Sequence, residues 1–157
     1  MQTITPFLWF NDQAEEAARY YVSIFPDSAV QHVTRYGEGA PVPKGTVMTV
    51  VFRINGQTFT ALNGGPHFTF NPAVSFVVSC DSQQEIDHYW ERLAAGGDPS
   101  AQQCGWLKDR FGLSWQVVPE KMGEWMSDPE KGARVAAAFM PMKRLDLATL
   151  EKAAAGS

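Results

Sequence analysis

The sequence predicts an α+β fold made of two βαβββ modules followed by extra C-terminal helices. Three observations predict it. Short apolar strand runs and amphipathic helices occur in the same order twice. The two halves can be laid on each other by fixed shifts, the signature of an internal repeat. Asn55-Gly56 separates two alternating runs, 46–54 and 57–62, and is the strongest short hairpin signal a sequence carries.

Residues 4–10 form a short apolar run with aromatics and read as a buried strand. Asp12 is expected to cap a helix whose first turn holds Glu15 and Glu16, suiting the helix dipole. Ala14, Ala17, Ala18, Tyr21, Val22 and Phe25 give that helix one apolar face, and Pro26-Asp27-Ser28 ends it. Residues 29–36 read as a strand, and a loop rich in Gly and Pro leads to the hairpin. Asn63-Gly64-Gly65-Pro66 breaks the chain, and 66–72 reads as a linker. The pattern then restarts. Residues 73–80 form an apolar strand, Asp81 is the expected cap, and 83–95 form a helix ending at Gly96-Gly97. Strand-like runs follow at 100–107 and 113–118, with Phe111-Gly112 as the turn between them.

A shift of 69 places Asp12 on Asp81, Glu16 on Glu85, Tyr20 on Tyr89, Tyr21 on Trp90 and Ile24 on Leu93. A shift of 56 places Gly56 on Gly112, Phe59 on Trp115 and Thr60 on Gln116. The chain is thus expected to be one domain, 1–157, with a first module at 1–63, a second at 73–119 and a helical extension at 120–157. Within the extension, helices are expected at 120–126, at 129–139 with Asp128 as cap and Pro129 at the first position, and at about 144–155. Leu145, Leu147, Ala148 and Leu150 are expected to pack on their own domain.

Composition bounds the function. The chain is 45% apolar and 19% charged with net charge −4, so it can bury a sizeable core. It has no basic run for phosphate binding, which argues against nucleic acid. It has no apolar run near the ~20 residues a membrane span needs. Its N-terminus lacks the basic and apolar regions of a signal peptide. With only Cys80 and Cys104, a reduced cytoplasmic protein is expected.

Thr5-Pro-Phe-Leu-Trp-Phe, Asn63-Gly-Gly-Pro with Phe68, Phe70 and Asn71, Cys104-Gly-Trp, Asp109-Arg-Phe-Gly and Trp115-Gln-Val-Val-Pro together resemble one family. The tail at 143–147 with Leu150-Glu-Lys-Ala resembles it too. The chain is similar to members of the vicinal oxygen chelate (glyoxalase/bleomycin resistance/dioxygenase) superfamily, in the PhnB-like branch often labelled demethylubiquinone methyltransferase-like. The resemblance implies that the modules form a cupped mixed sheet, that ligands bind in the cup and that the protein pairs into a homodimer. In metal-dependent relatives, His, Glu or Gln from the first and fourth strands of each module hold a divalent ion that chelates vicinal oxygens.

Strand parity locates those positions. With Gln116 inward, Ser114 and Val118 share its face while Trp115 and Val117 face the helix. The repeat then turns Thr58, Thr60 and Leu62 inward and makes Pro6 and Ser75 equivalent, so the four metal positions fall near Pro6, Thr60, Ser75 and Gln116. Only Gln116 is a common neutral ligand, so no catalytic metal and no cofactor are expected. Gln116, Ser75, Thr60, Ser114 and Thr58, walled by Trp9, Trp106 and Phe68, instead suggest a small-molecule pocket. Cys104 as a nucleophile and His67 as a base or lid residue are weaker candidates, since no histidine is placed beside Cys104. Gly37-Glu38-Gly39 runs into Pro41 and Pro43 rather than a helix, so it is no phosphate loop. The expected function is metal-free binding of a small molecule, with catalysis left open. A metal-dependent lyase, isomerase or dioxygenase, and a demethylubiquinone-type methyltransferase, are the alternatives.

Overall fold

The computed structural model describes residues 2–156. The chain divides into two compact units, the first ending at Phe70 and the second beginning at Asn71.

The first unit runs β1 (Phe7–Phe10), α1 (Ala14–Ile24), β2 (Ala29–Arg35), β3 (Val47–Ile54) and β4 (Gln57–Asn63). Its sheet has the order β1-β4-β3-β2, with β1 parallel to β4 and the other pairs antiparallel. Asn55 and Gly56 take φ 48° and 83°, the left-handed pair that a two-residue hairpin turn needs. Alternation decides the core. Leu8, Phe10, Phe52, Phe59 and Ala61 are buried with Ala14, Ala17, Ala18 and Tyr21 of α1. Tyr21, Phe52 and Phe59 stack in series, with ring centroids 6.2 and 5.5 Å apart.

Asp12 is not the cap of α1. Gln13 holds that position without a side-chain bond, and the free Ala14 N–H donates instead to Asn63 Oδ1 at 2.8 Å. The cap comes from 49 residues away, on β4.

The second unit runs β5 (Ser75–Cys80), α2 (Gln83–Ala94), a 3₁₀ turn (Pro99–Ala101), β6 (Trp106–Lys108), β7 (Ser114–Pro119), α3 (Met122–Ser127), α4 (Pro129–Phe139) and α5 (Leu147–Ala155). Its sheet is β5-β7-β6, with β5 parallel to β7. The run 100–107 is not one strand. A 3₁₀ turn opens it, and the chain then reverses at Cys104-Gly105, leaving a single Gln103–Trp106 bridge where the other module has β2. Ser82, not Asp81, caps α2. Its side chain accepts the Glu85 N–H, while Glu85 reaches back to the Asp81 N–H. Asp128 and Asp146 cap α4 and α5, and Gly156 ends α5 with φ 80°. Trp125, Val135, Leu145, Leu150 and Ala154 form a core within this extension, so Leu145 and Leu150 pack on their own unit while Ala148 stays exposed. Among the described residues, no helix is long and apolar enough to cross a membrane.

Candidate functional site

The candidate residues fall into two groups, one per unit. In the second unit, β7 lies between β5 and β6, so its side chains are flanked on both sides. Leu107, Trp115 and Val117 are buried, as are Ile86, Trp90 and Leu93 of α2, and Phe76 packs 5.7 Å from the Trp115 ring. The alternate positions form the other face. There Ser75 pairs with Ser114, Val77 with Gln116, and Trp106 stands across from Gln116. Gln116 Nε2 donates to Ser75 Oγ at 3.0 Å. Ser114 is only 1% exposed, and its hydroxyl has no hydrogen-bond partner among the described residues. Val77, by contrast, is 55% exposed.

The turn before β7 is held by one carboxylate. Asp109, buried with 2% exposure, accepts from the Phe111 and Leu113 N–H groups through Oδ1 and from Trp115 Nε1 through Oδ2 at 2.9 Å. Gly112 closes the turn at φ 88°. Asp109 therefore fixes both the entry of β7 and the indole on its buried face.

In the first unit, Thr58 and Thr60 lie on the β4 face away from Phe59 and Ala61. Trp9 Nε1 donates to Gly65 O at 3.0 Å, and Phe68 meets the indole edge-on at 5.0 Å. His67 packs against the same indole, 6.4 Å away, as a ring contact. The Asn-Gly-Gly-Pro piece explains itself here. Asn63 caps α1 through Oδ1 and donates through Nδ2 to Val47 O, while its own carbonyl accepts the Tyr36 hydroxyl. A Cβ on Gly64 would sit 2.3 Å from Trp9 Cζ2, so only glycine lets the loop lie on the indole.

One sequence position needs correction. Phe7 pairs with Thr60 and Val77 pairs with Gln116, so these two are the equivalent residues of the first strands. Pro6 alternates with Phe7 and falls on the face opposite Thr60. A register step of one moves a side chain across the sheet, and the helix-based shift was one residue short at the strands.

The divalent ion of the metal-dependent relatives does not fit these residues. Thr60 has Phe7 and Val51 beside it, and Gln116 has Val77 and Trp106. Gln116 is already engaged with Ser75, and its ladder neighbours Val77 and Trp106 supply no imidazole or carboxylate. Among the described residues, no three of His, Cys, Asp or Glu come together to hold a metal ion. Cys80 and Cys104 are both free thiols. Burial, then the Glu85 and Asp81 charges, push the Cys80 thiol up to about 12, so it stays protonated and inert. Cys104 lies in a reverse turn at φ 42°.

Open hollows occur elsewhere within each unit. Thr58 borders one of about 450 Å³ with Thr3, Ile4, Thr5, Gly56 and Gln57. Two more, of about 690 and 370 Å³, lie among the C-terminal helices. The larger of these two is lined by Glu124, Ser127, Asp128, Glu130 and Lys131, and none of the three is lined by Gln116.

The family model described as 3-demethylubiquinone-9 3-methyltransferase matches residues 2–118. A PhnB protein from Bacillus cereus that carries the same methyltransferase description is 38% identical, with TM-score 0.65; the match covers 74% of this chain and 99% of that one. PA1353 from Pseudomonas aeruginosa is 23% identical over 76% of this chain and 98% of its own, with TM-score 0.60. The fosfomycin resistance protein FosX from Mesorhizobium loti shares the fold at 13% identity and TM-score 0.57, over 81% of this chain and 98% of that one. The search of curated proteins found no match. By the span of the family match and the Bacillus cereus relative, the chain belongs to the 3-demethylubiquinone-9 3-methyltransferase (PhnB-like) family of the vicinal oxygen chelate superfamily.

Proposed function

We propose that the protein binds a small, oxygen-rich molecule on the Gln116 face of its second sheet, without a catalytic metal. The observation that carries this reading is the Gln116–Ser75 hydrogen bond, made beside Trp106 on a face that also carries Ser79, Lys108 and Ser114. An amide braced by a hydroxyl next to an indole offers one oriented polar contact and one flat apolar wall, the usual make-up of a ligand site. Ser114 adds support. Its ladder pairing with Ser75 puts a second hydroxyl on the Gln116 face. Homodimer formation and a cytoplasmic location belong to the same proposal, on the strength of the family resemblance.

Methyl transfer, the activity in the family's description, has less support. Gly37-Glu38-Gly39 lies in the loop between β2 and β3 and leads into a strand, so no helix N-terminus stands behind it to receive a cofactor phosphate or carboxylate.

The test is a ligand-observed NMR screen of the full chain against small α-hydroxy acids, catechols and phosphonates. A binder is expected, and Gln116→Ala is expected to weaken it about tenfold, the loss of one oriented hydrogen bond with its brace. Equal affinity in Gln116→Ala would sink the assignment. Stoichiometric Ni, Zn, Mn or Fe retained after dialysis would overturn the metal-free part.

A further inference from the structure

The family match ends at residue 118, so the helical extension lies outside it. The extension nevertheless reaches back to the candidate face. Gln103 and Trp106 exchange backbone bonds at 3.1 and 2.8 Å around Cys104 and Gly105, both at positive φ, 42° and 91°. This is a two-residue hairpin turn with a cysteine where Asn, Asp or Gly is usual. Both of its amides are held from outside. Cys104 N–H donates to Met142 O at 2.6 Å and Gly105 N–H to Lys143 O at 2.9 Å. The Gly105 carbonyl in turn accepts the Val117 N–H at 2.8 Å, one residue from Gln116.

The segment that supplies those carbonyls is latched in place. Gln83 on α2 donates to Leu145 O at 3.1 Å and accepts the Leu147 N–H at 2.7 Å. Arg144 reaches Asp87 and Glu91, each at 3.2 Å. Leu145 is buried, and its Cδ1 would lie 3.1 Å from a Cβ on Gly105.

We infer that residues 142–145 are a positioning strap for the Gln116 face: they clamp the Cys104-Gly105 turn, whose next residue, Trp106, stands opposite Gln116. A left-handed cysteine persists because the surrounding structure holds it, and the strap is what holds it. The role in ligand binding rests on the function proposed above, whereas the coupling of strap to face does not.

The test uses the full chain carrying Gln83→Ala and Arg144→Ala, which cuts the side-chain latches and spares Leu145 and every residue of the face. NMR without any ligand reads the backbone amides of the turn, the Gln116 side-chain NH₂ and the Trp106 indole. Exchange at Cys104 and Gly105 is expected to quicken about tenfold. The Gln116 and Trp106 side-chain resonances shift with it, while amides of α1 keep their protection. If the double variant loses its fold, Arg144→Ala alone gives the same readout with a smaller expected change. Turn amides that quicken while Gln116 and Trp106 stay put would reduce the strap to terminal packing. Turn amides as protected as in the parent would contradict the clamp itself. A panel without any binder would fail the function proposal and leave this result decided.

Discussion

Asp109→Ala is expected to cost about 3–5 kcal/mol of folding stability, the largest loss of any single substitution considered. The carboxylate is buried and accepts bonds from Phe111 N, Leu113 N and Trp115 Nε1. Removing it leaves those donors desolvated, at about 1–3 kcal/mol for each one left unpaired, and opens a small cavity. For a chain of this size such a loss lowers the melting temperature by roughly 10 °C. Asp109→Asn keeps one acceptor oxygen but turns an NH₂ towards either the amides or the indole, so it should lose about half as much. Urea unfolding of the three proteins measures the series. A loss in Asp109→Ala below about 0.5 kcal/mol, the level of an ordinary surface substitution, would mean that the turn does not depend on this side chain.

Asn63→Ala is the second. It removes the cap on Ala14 and the bond to Val47 O, joining the end of β4 to both α1 and β3. A cap is worth about 1 kcal/mol and a half-buried carbonyl left bare costs a further ~1–2, so about 2–3 kcal/mol is expected. The effect has a location as well as a size. Amide exchange should quicken in the first turn of α1, at Ala14 above all, before it does so in the second unit. Uniform quickening across both units would show that the cap is not the weak point.

Local chemistry made much of this fold legible. Asn55-Gly56 names its own turn, Asp128-Pro129 opens a helix on sight, and alternation from 114 to 118 tells which side of β7 meets α2. The misses have physical reasons. The α1 cap comes from Asn63, a tertiary contact that no local window contains. Asp81 and Ser82 are adjacent residues of similar capping strength, and one helical step separated them. The break at Cys104-Gly105 hid because cysteine seldom takes positive φ; here the strap carbonyls stabilise what residue type would not. That Ser75 and Gln116 share a face was within reach of parity alone. The module bounds read from the repeat already separate Thr58, Thr60 and Trp9 from Gln116, as the two compact units do. Asp109 stands in the Asp-Arg-Phe-Gly piece, but residue spacing alone does not show that its carboxylate accepts from Phe111, Leu113 and Trp115.

The proposed role of Gln116, braced by Ser75 and faced by Trp106, is to orient a small oxygen-rich ligand. Chemical-shift mapping of the labelled full chain, titrated with the tightest binder from the α-hydroxy acid, catechol and phosphonate panel, tests it most directly. The account predicts the largest shifts at the Gln116 side-chain amide, Ser75 and the Trp106 indole. Shifts confined to the grooves of the C-terminal helices, around Trp125 and Lys131, with Gln116 unmoved, would contradict it.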